Sequence, residues 1–332
     1  MFSAELSVRL RALADKYEKA SFMDADPSRF LRRYSKPRDQ ELAAFVVSTL
    51  SFGQREQFIA KLDAMFAAAD ESVGKPKIAG ATKSASKPKT AGGATKSACK
   101  PKTLGASFAD WLTGGGYKKF FPKSQKKFYR FFSYADMAEL CSRLAQIVEE
   151  HGSLGAAVRA RYGQEIVCKP KTAGGARYGL AKNSGNAKNE GATKSEGAAP
   201  LGLATASGIA NVPPELRLVS ALISLFPGVK CVSQNPKGAC KKLHMFLRWM
   251  VRRGSPVDLG LWDWASAADL LIPLDTHVLQ ESARLGLIAP NAAANAKTAI
   301  ELTKKMAKVF PGDPARADYA LFGLGVDGRE KR

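Results

Sequence analysis

Lys241 and Lys242 stand at the front of GACKKLHMFLRWMVRRG, residues 238–254, in which Leu243, Phe246, Leu247, Met250 and Val251 recur on one helical stripe. The exposed N–H groups at a helix start oppose a neighbouring ammonium. An amine placed there and partly desolvated is easier to deprotonate, and the neutral form can attack a carbonyl or a sugar C1′ to give a Schiff base. The same N–H groups also favour phosphate, in which case both lysines simply hold an anion. The residues leave the two chemistries open. A carboxylate that could partner the amine is Asp275 in LLIPLDTHVLQESARLGL, residues 270–287, where it follows an apolar, proline-stiffened run and reads as the N-cap of a helix ending at Gly286. The lysine helix, to about Arg253, rises roughly 20 Å, and the residues beyond it suffice to bring the chain back to its start. The spacing therefore permits Asp275 to face Lys241.

Around these two, Trp249, Trp262 and Trp264 offer flat apolar faces for stacking, and of the three Trp249 fits a core better than a pocket. Arg248, Arg252 and Arg253 suit phosphates or a solvated helix face. His277, next to the capping Asp275, is expected to be a buried, hydrogen-bonded imidazole. His244, one turn into the lysine helix, is a candidate lining residue of a pocket.

The elements that must position these groups read as helices almost throughout, so the fold class is all-α. Leu42, Phe45, Val46, Thr49 and Leu50 keep a helical period up to Gly53, and Phe58, Leu62, Met65 and Phe66 continue it. Ser133 with Asp136 predicts a capping box for a helix buried through Met137, Leu140, Leu144, Ile147 and Val148 and closed by Gly152. A short helix is expected around 263–270, and Asp313-Pro314 predicts an N-cap with proline at the first position of a last helix. No run of five or more residues alternates as a strand does.

The 332 residues carry 51 Lys and Arg against 30 Asp and Glu, a formal charge of +21, which makes a polyanion the default partner. Residues 73–106 and 168–208 supply +8 and +4 of it. Both share the words KPKTAGGA and GATKS and are too polar and too small-residued to bury a core, so two disordered low-complexity insertions are expected. The chain then divides into N-terminal helices 1–72, an insertion 73–106, a helical segment 107–167, an insertion 168–211, and helices 212–332 that carry the chemistry. The five cysteines form no C-x-x-C pair, which predicts reduced thiols and a cytoplasmic location and excludes a four-cysteine iron–sulfur loop or zinc ribbon. No window approaches an apolar span of about 18 residues, so no membrane association is expected.

The segments PRDQELAAFVVSTLSFGQREQFIAKL (37–62), KKLHMFLRWMVRRGSPVDLGLWDW (241–264), LIPLDTHVLQESARLGL (271–287) and DPARADYALFGLG (313–325) resemble an uncharacterised bacterial family known as Domain of Unknown Function 2400. That family in turn resembles the helix-hairpin-helix DNA glycosylases, nearest the archaeal 8-oxoguanine branch. The resemblance implies a glycosylase-like helical fold and a DNA base-excision glycosylase, with strand-nicking lyase activity, acting on an oxidised purine such as 8-oxoguanine. Lys241 would be its Schiff-base nucleophile, and Asp275, in Leu274-Asp275-Thr276-His277-Val278, its catalytic carboxylate. Gln54, after LSF, falls where relatives insert a side chain into the vacated base stack, and equally where a helix simply ends. Lys242, His244, Arg248, Arg252, Trp249, Trp262 and His277 would hold DNA or line the pocket. A monomer on double-stranded DNA, associated with the nucleoid and needing no metal or cofactor, completes the expectation. The hairpin signature is reduced to LFPGVK, residues 225–230, ten residues before Lys241. Two other readings remain: a binder of nucleic acid on the same fold that does not cut, and a basic structural or ribosome-associated protein that binds through its lysine tracts.

Overall fold

A computed structural model describes residues 3–73, 107–167 and 212–330; the two expected insertions lie, Val73 apart, outside them. The described chain is mostly helical. In order it runs α1 (Ala4–Tyr17), α2 (Pro37–Leu50), α3 (Arg55–Val73), α4 (Phe108–Thr113), α5 (Tyr117–Phe120), β1 (Lys127–Tyr129), β2 (Phe132–Ser133), α6 (Tyr134–His151), α7 (Leu154–Val167), α8 (Arg217–Ser224), α9 (Lys241–Val251), α10 (Thr276–Arg284), α11 (Ala296–Met306) and α12 (Ala317–Glu330). The strands form a small antiparallel hairpin. They are too short for the alternation that marks a strand in a sequence.

Helix α2 lies at the centre. Every residue from Glu41 to Leu50 is buried, and α4, α7 and α9 pack around it, as a helix without a solvent face requires. Its two buried acids tie the described segments together. Asp39 accepts hydrogen bonds from Ser107 Oγ at 2.8 Å and the Ala109 amide at 2.9 Å, at the start of α4. Glu41 accepts from the amides of Leu154 (2.7 Å) and Gly155 (3.0 Å), which open α7, and from Trp262 Nε1 at 3.0 Å. Stray carboxylates in an apolar helix thus serve as caps for others.

The capping box of α6 forms as its sequence implies, with Ser133 and Asp136 exchanging side-chain to backbone bonds, and Gly152 closes the helix at φ 78°. The lysine helix buries Leu243, Phe246, Leu247, Met250 and Val251. Two local expectations change. Residues 263–270 yield only a 3-10 turn, Ala267–Asp269. Asp313 precedes the 3-10 turn Pro314–Arg316 and makes no side-chain cap; its carboxylate is drawn instead to Arg252, from which it accepts at 2.8–3.0 Å. Cys141, Cys231 and Cys240 are free thiols. Among the described residues no helix is long and apolar enough to cross a membrane.

Candidate active site

Lys241 is the first residue of α9, and the residue before it, Cys240, turns the chain in the left-handed region at φ 43°. Asp275 is the N-cap of α10. The apolar strap ahead of it, Leu270 to Leu274, is buried and held where the Ile272 amide donates to Thr303 Oγ1 at 3.1 Å. The two oxygens of Asp275 divide their work. Oδ1 accepts from the Val278 amide at 2.8 Å and fixes the carboxylate plane; Oδ2 is left facing Lys241 Nζ at 3.7 Å. Both side chains keep access to solvent, at 33 and 26 % exposure.

The pair opens onto a cleft of about 930 Å³, large enough for a nucleotide-sized ligand. Two groups of touching rings line it, Phe52 with Phe131 and Phe132, and Phe22 with Tyr319 and Phe322. Lys242 lies in the same cleft, its Nζ donating to the Thr49 carbonyl at 3.1 Å and standing 4.8 and 5.0 Å from the ring centres of Phe52 and Phe132. Burial, with Lys241 adding to it, lowers the Lys242 amine to about 8 against the weaker opposing influence of Cys231. Asp318, on α12, supplies a second carboxylate to the cleft. Burial and the nearby Asp275 lift its carboxyl to about 6, against the pull of Arg248 and Lys241. The cleft therefore joins lysine amines, carboxylates and aromatic walls, the constituents for protonating, deprotonating or covalently trapping a planar ligand. Among the described residues no group of three or more His, Cys, Asp or Glu is placed to hold a metal ion.

The expected site residues separate into those the fold gathers and those it does not. Lys241, Lys242, Asp275 and His277 all line the cleft. His277 is exposed rather than buried, because the second position of α10 points away from the core that takes Val278. His244 is the reverse case: it faces inward from α9, is 2 % exposed, and burial lowers it to about 4, so it is a neutral core residue under the site. Arg248 and Arg252 do not lie on a solvated helix face. Both are buried around Asp258: Arg248 Nε stands 3.3 Å from its Oδ1, Arg252 bonds its Oδ2, and Tyr319 donates to it at 3.1 Å. Asp318 pairs with Arg248, while Glu18 and Asp313 pair with Arg252. Arg248 touches the cleft only as part of this buried network. Trp249 is fully buried in the core. Trp262 is buried too, spends its N–H on Glu41 and stacks on Trp264, away from the cleft. Gln54 is exposed just before α3 and accepts from Gln57 Nε2 at 2.6 Å; its neighbours Gly53 and Arg55 line the cleft.

Sequence reasoning missed the aromatic walls and Asp318. Asp318, Tyr319 and Phe322 fall at i, i+1 and i+4 of the last helix, a spacing visible in DYALF that points one acid and two rings to one side. Phe52, Phe131 and Phe132 carry no such signal, since the turn before α3 and a short hairpin bring them together from eighty residues apart. The hairpin is pinned where Tyr129 donates its hydroxyl to the Phe52 carbonyl. Gly53 beside it has φ 82°, and a Cβ there would stand 2.7 Å from Tyr129 Oη and 2.8 Å from Arg130 Cδ. Only glycine suits that junction.

Residues 26–91 and 221–327, which include Phe52, Lys241, Asp275 and Asp318 but not the hairpin, match a family described as "Protein of unknown function (DUF2400)". No curated protein and no solved structure matches the chain.

Proposed function

The chain belongs to the DUF2400 family of proteins of unknown function, and for this member we propose DNA base excision: a glycosylase, with lyase activity, in which Lys241 is the nucleophile and Asp275 the catalytic carboxylate. One observation carries the reading, the 3.7 Å approach of Lys241 Nζ to a carboxylate oxygen whose orientation the α10 cap fixes, inside a cleft walled by aromatic side chains. A nucleotide everted from a duplex brings its C1′ to the amine and its base to the aromatic walls. Asp275 Oδ2 is the acceptor at hand for the proton that Lys241 must lose before attack. The amine then forms the N–C1′ bond as the C1′–base bond breaks, and the departing base leaves with the bonding electron pair and takes up the proton that Asp275 received, which returns Asp275 to its carboxylate form. Positive charge that develops on the sugar is opposed by the Asp275 carboxylate, with Asp318 adding to the negative field. The secondary ammonium so formed gives one N–H proton to O4′ as the C1′–O4′ bond opens, and the resulting iminium is the species from which strand cleavage by β-elimination proceeds. The basic excess of the chain and the resemblance of its motifs to 8-oxoguanine glycosylases make an oxidised purine in double-stranded DNA the first substrate to try.

The second reading, a nucleic-acid binder that does not cut, draws on the ion pair itself, since an ammonium held by a carboxylate grips phosphate without attacking sugar. Borohydride reduction separates the two. Incubation with duplexes containing 8-oxoguanine, uracil, hypoxanthine or an oxidised pyrimidine is expected to leave a covalent adduct on one of them, mapped by mass spectrometry to Lys241. The adduct disappears in Lys241→Ala and persists in Lys242→Ala. No adduct on any substrate, with base release also absent, leaves the binder.

A further inference from the structure

Phe131 is 66 % exposed, an unusual position for a phenylalanine, and it sits between β1 and β2 at the rim of the cleft that holds Lys241. Its ring lies parallel to that of Phe52, at 3° and 6.2 Å between centres. The residues on either side of it are fixed: Phe128, Tyr129 and Phe132 are buried, and Arg130 takes φ 47° so that the tip turns outward. Exposure here is therefore imposed by a rigid hairpin rather than left over from a frayed end.

The hairpin closes a stretch, YKKFFPKSQKKFYRFF, in which Lys118, Lys119, Lys123, Lys126, Lys127 and Arg130 are all exposed. No acid occurs between residues 111 and 135. Among the described residues none of the six forms an ion pair; Lys127 instead reaches the Phe131 carbonyl at 3.4 Å, and the Arg130 guanidinium stands 5.7 Å from the Phe131 ring centre. Elsewhere the arginines are heavily matched, as Arg248, Arg252 and Arg316 show. A presented ring with Lys127 and Arg130 beside it, in a segment whose cations have no acids, fits a polyanion that carries flat apolar faces, which is nucleic acid.

We propose that this hairpin is a gap reader. Phe131 stacks on a nucleobase laid bare when a nucleotide leaves the helix, and Lys127, Arg130 and the other cations of the segment hold the flanking phosphates. The assignment rests on the reading of the cleft as a receptor for an everted nucleotide, because only eversion bares such a face next to it. An anionic lipid surface is the competing partner, and it is the poorer match: insertion into a bilayer uses several apolar side chains, and the hairpin exposes one.

The test uses the full chain and two short fluorescent duplexes, one intact and one with a single tetrahydrofuran abasic-site analogue, whose C1′ bears no leaving group. Wild-type protein is expected to prefer the gapped duplex. Phe131→Ala should erase that preference, a loss of roughly 5- to 150-fold on the gapped duplex, the range that stacking on one base provides, and leave the intact duplex within about twofold. Phe131→Trp should keep the preference. Combined Lys126→Ala, Lys127→Ala and Arg130→Ala should weaken both duplexes alike and flatten the salt dependence by about 0.9 in log–log slope for each phosphate no longer neutralised. The proposal is overturned by wild type showing no preference, by an unchanged preference in Phe131→Ala at an unchanged melting temperature, or by Phe131→Ala losing binding to phosphatidylserine vesicles alone. These results are independent of the Schiff-base chemistry: a missing borohydride adduct sinks the nucleophile assignment and leaves gap recognition standing.

Discussion

At Asp275 an observed structural role, the cap of α10, and the proposed chemical one share a single side chain, and substitution can pull them apart. Asparagine caps a helix about as well as aspartate, so Asp275→Asn should unfold within a few tenths of a kcal/mol of wild type while base excision falls by about 10²–10⁴-fold, the range for a lost acid–base group. Asp275→Ala should lose the same activity and in addition about 0.5–2 kcal/mol of stability. Equal activity in wild type and Asp275→Asn, measured by single-turnover base release, would refute the catalytic role and leave a cap. His244 makes a different prediction. Burial holds it at about 4, whereas in the unfolded chain it titrates near 6.5. Between those two values the unfolded state binds more protons, so stability must fall as pH drops from 6.5 towards 4, by up to about 1.4 kcal/mol per pH unit from this group. Urea midpoints at pH 7 and pH 5 should therefore lie closer together in His244→Leu than in wild type. Lys242 obeys the same sign at the alkaline end. Its folded amine releases its proton near 8 and its unfolded one near 10.5, so this residue favours the folded state increasingly as pH rises through that window, and Lys242→Met removes the trend.

Among elements, α9 shows what can be read in advance and what cannot. Its apolar stripe is local, set by a repeat of three and four residues, and it packs as the repeat implies. The capping box of α6 and the cap of α10 are local as well, each complete within four residues, and both form. The arginines of α9 are ambiguous in the sequence for the opposite reason. Asp258 lies six residues past Arg252 but carries no pattern that marks it as a partner, Asp313 and Asp318 come some sixty to seventy residues later, and it is those acids, with Glu18 from the start of the chain, that turn a basic helix face inward. The approach of Lys241 to Asp275 lies between these extremes: chain length allows it, and the buried strap from Leu270 to Leu274 decides it. The network yields a test of its own. Asp258 is buried between two guanidinium groups and a tyrosine hydroxyl, and Asp258→Ala takes away the carboxylate that the two arginines share, leaving buried N–H and O–H donors without an acceptor while Asp318, Glu18 and Asp313 still face the guanidiniums. A loss of about 3–5 kcal/mol is expected in denaturant unfolding; a loss below about 1 kcal/mol, the scale of an exposed pair, would show that water reaches the cluster.

For the whole molecule the question is which of its charges do the binding. Residues 75–105 and 169–208 supply +12 of the net +21, and a purely electrostatic grip on DNA through those tracts would weaken steeply with added salt. The cleft and hairpin make a different demand. Their cations, Lys230, Lys241 and Lys242 in the cleft and the six of the basic segment, belong to the described residues, and under the proposed function they would act on one place in a duplex rather than along its length. Deleting both tracts should accordingly lower affinity for any duplex and reduce its salt slope, while the ratio of affinities for gapped over intact DNA, and the yield of borohydride adduct at saturating protein, stay where they were. Binding that vanishes with the tracts would instead make this a lysine-driven basic protein, and the arrangement of Lys241, Asp275 and Phe131 around one cleft would have no bearing on how it engages nucleic acid. Salt titrations of the deletion variant on the two duplexes decide between these outcomes, because non-specific attraction scales with the number of phosphates neutralised and stacking on a bared base does not.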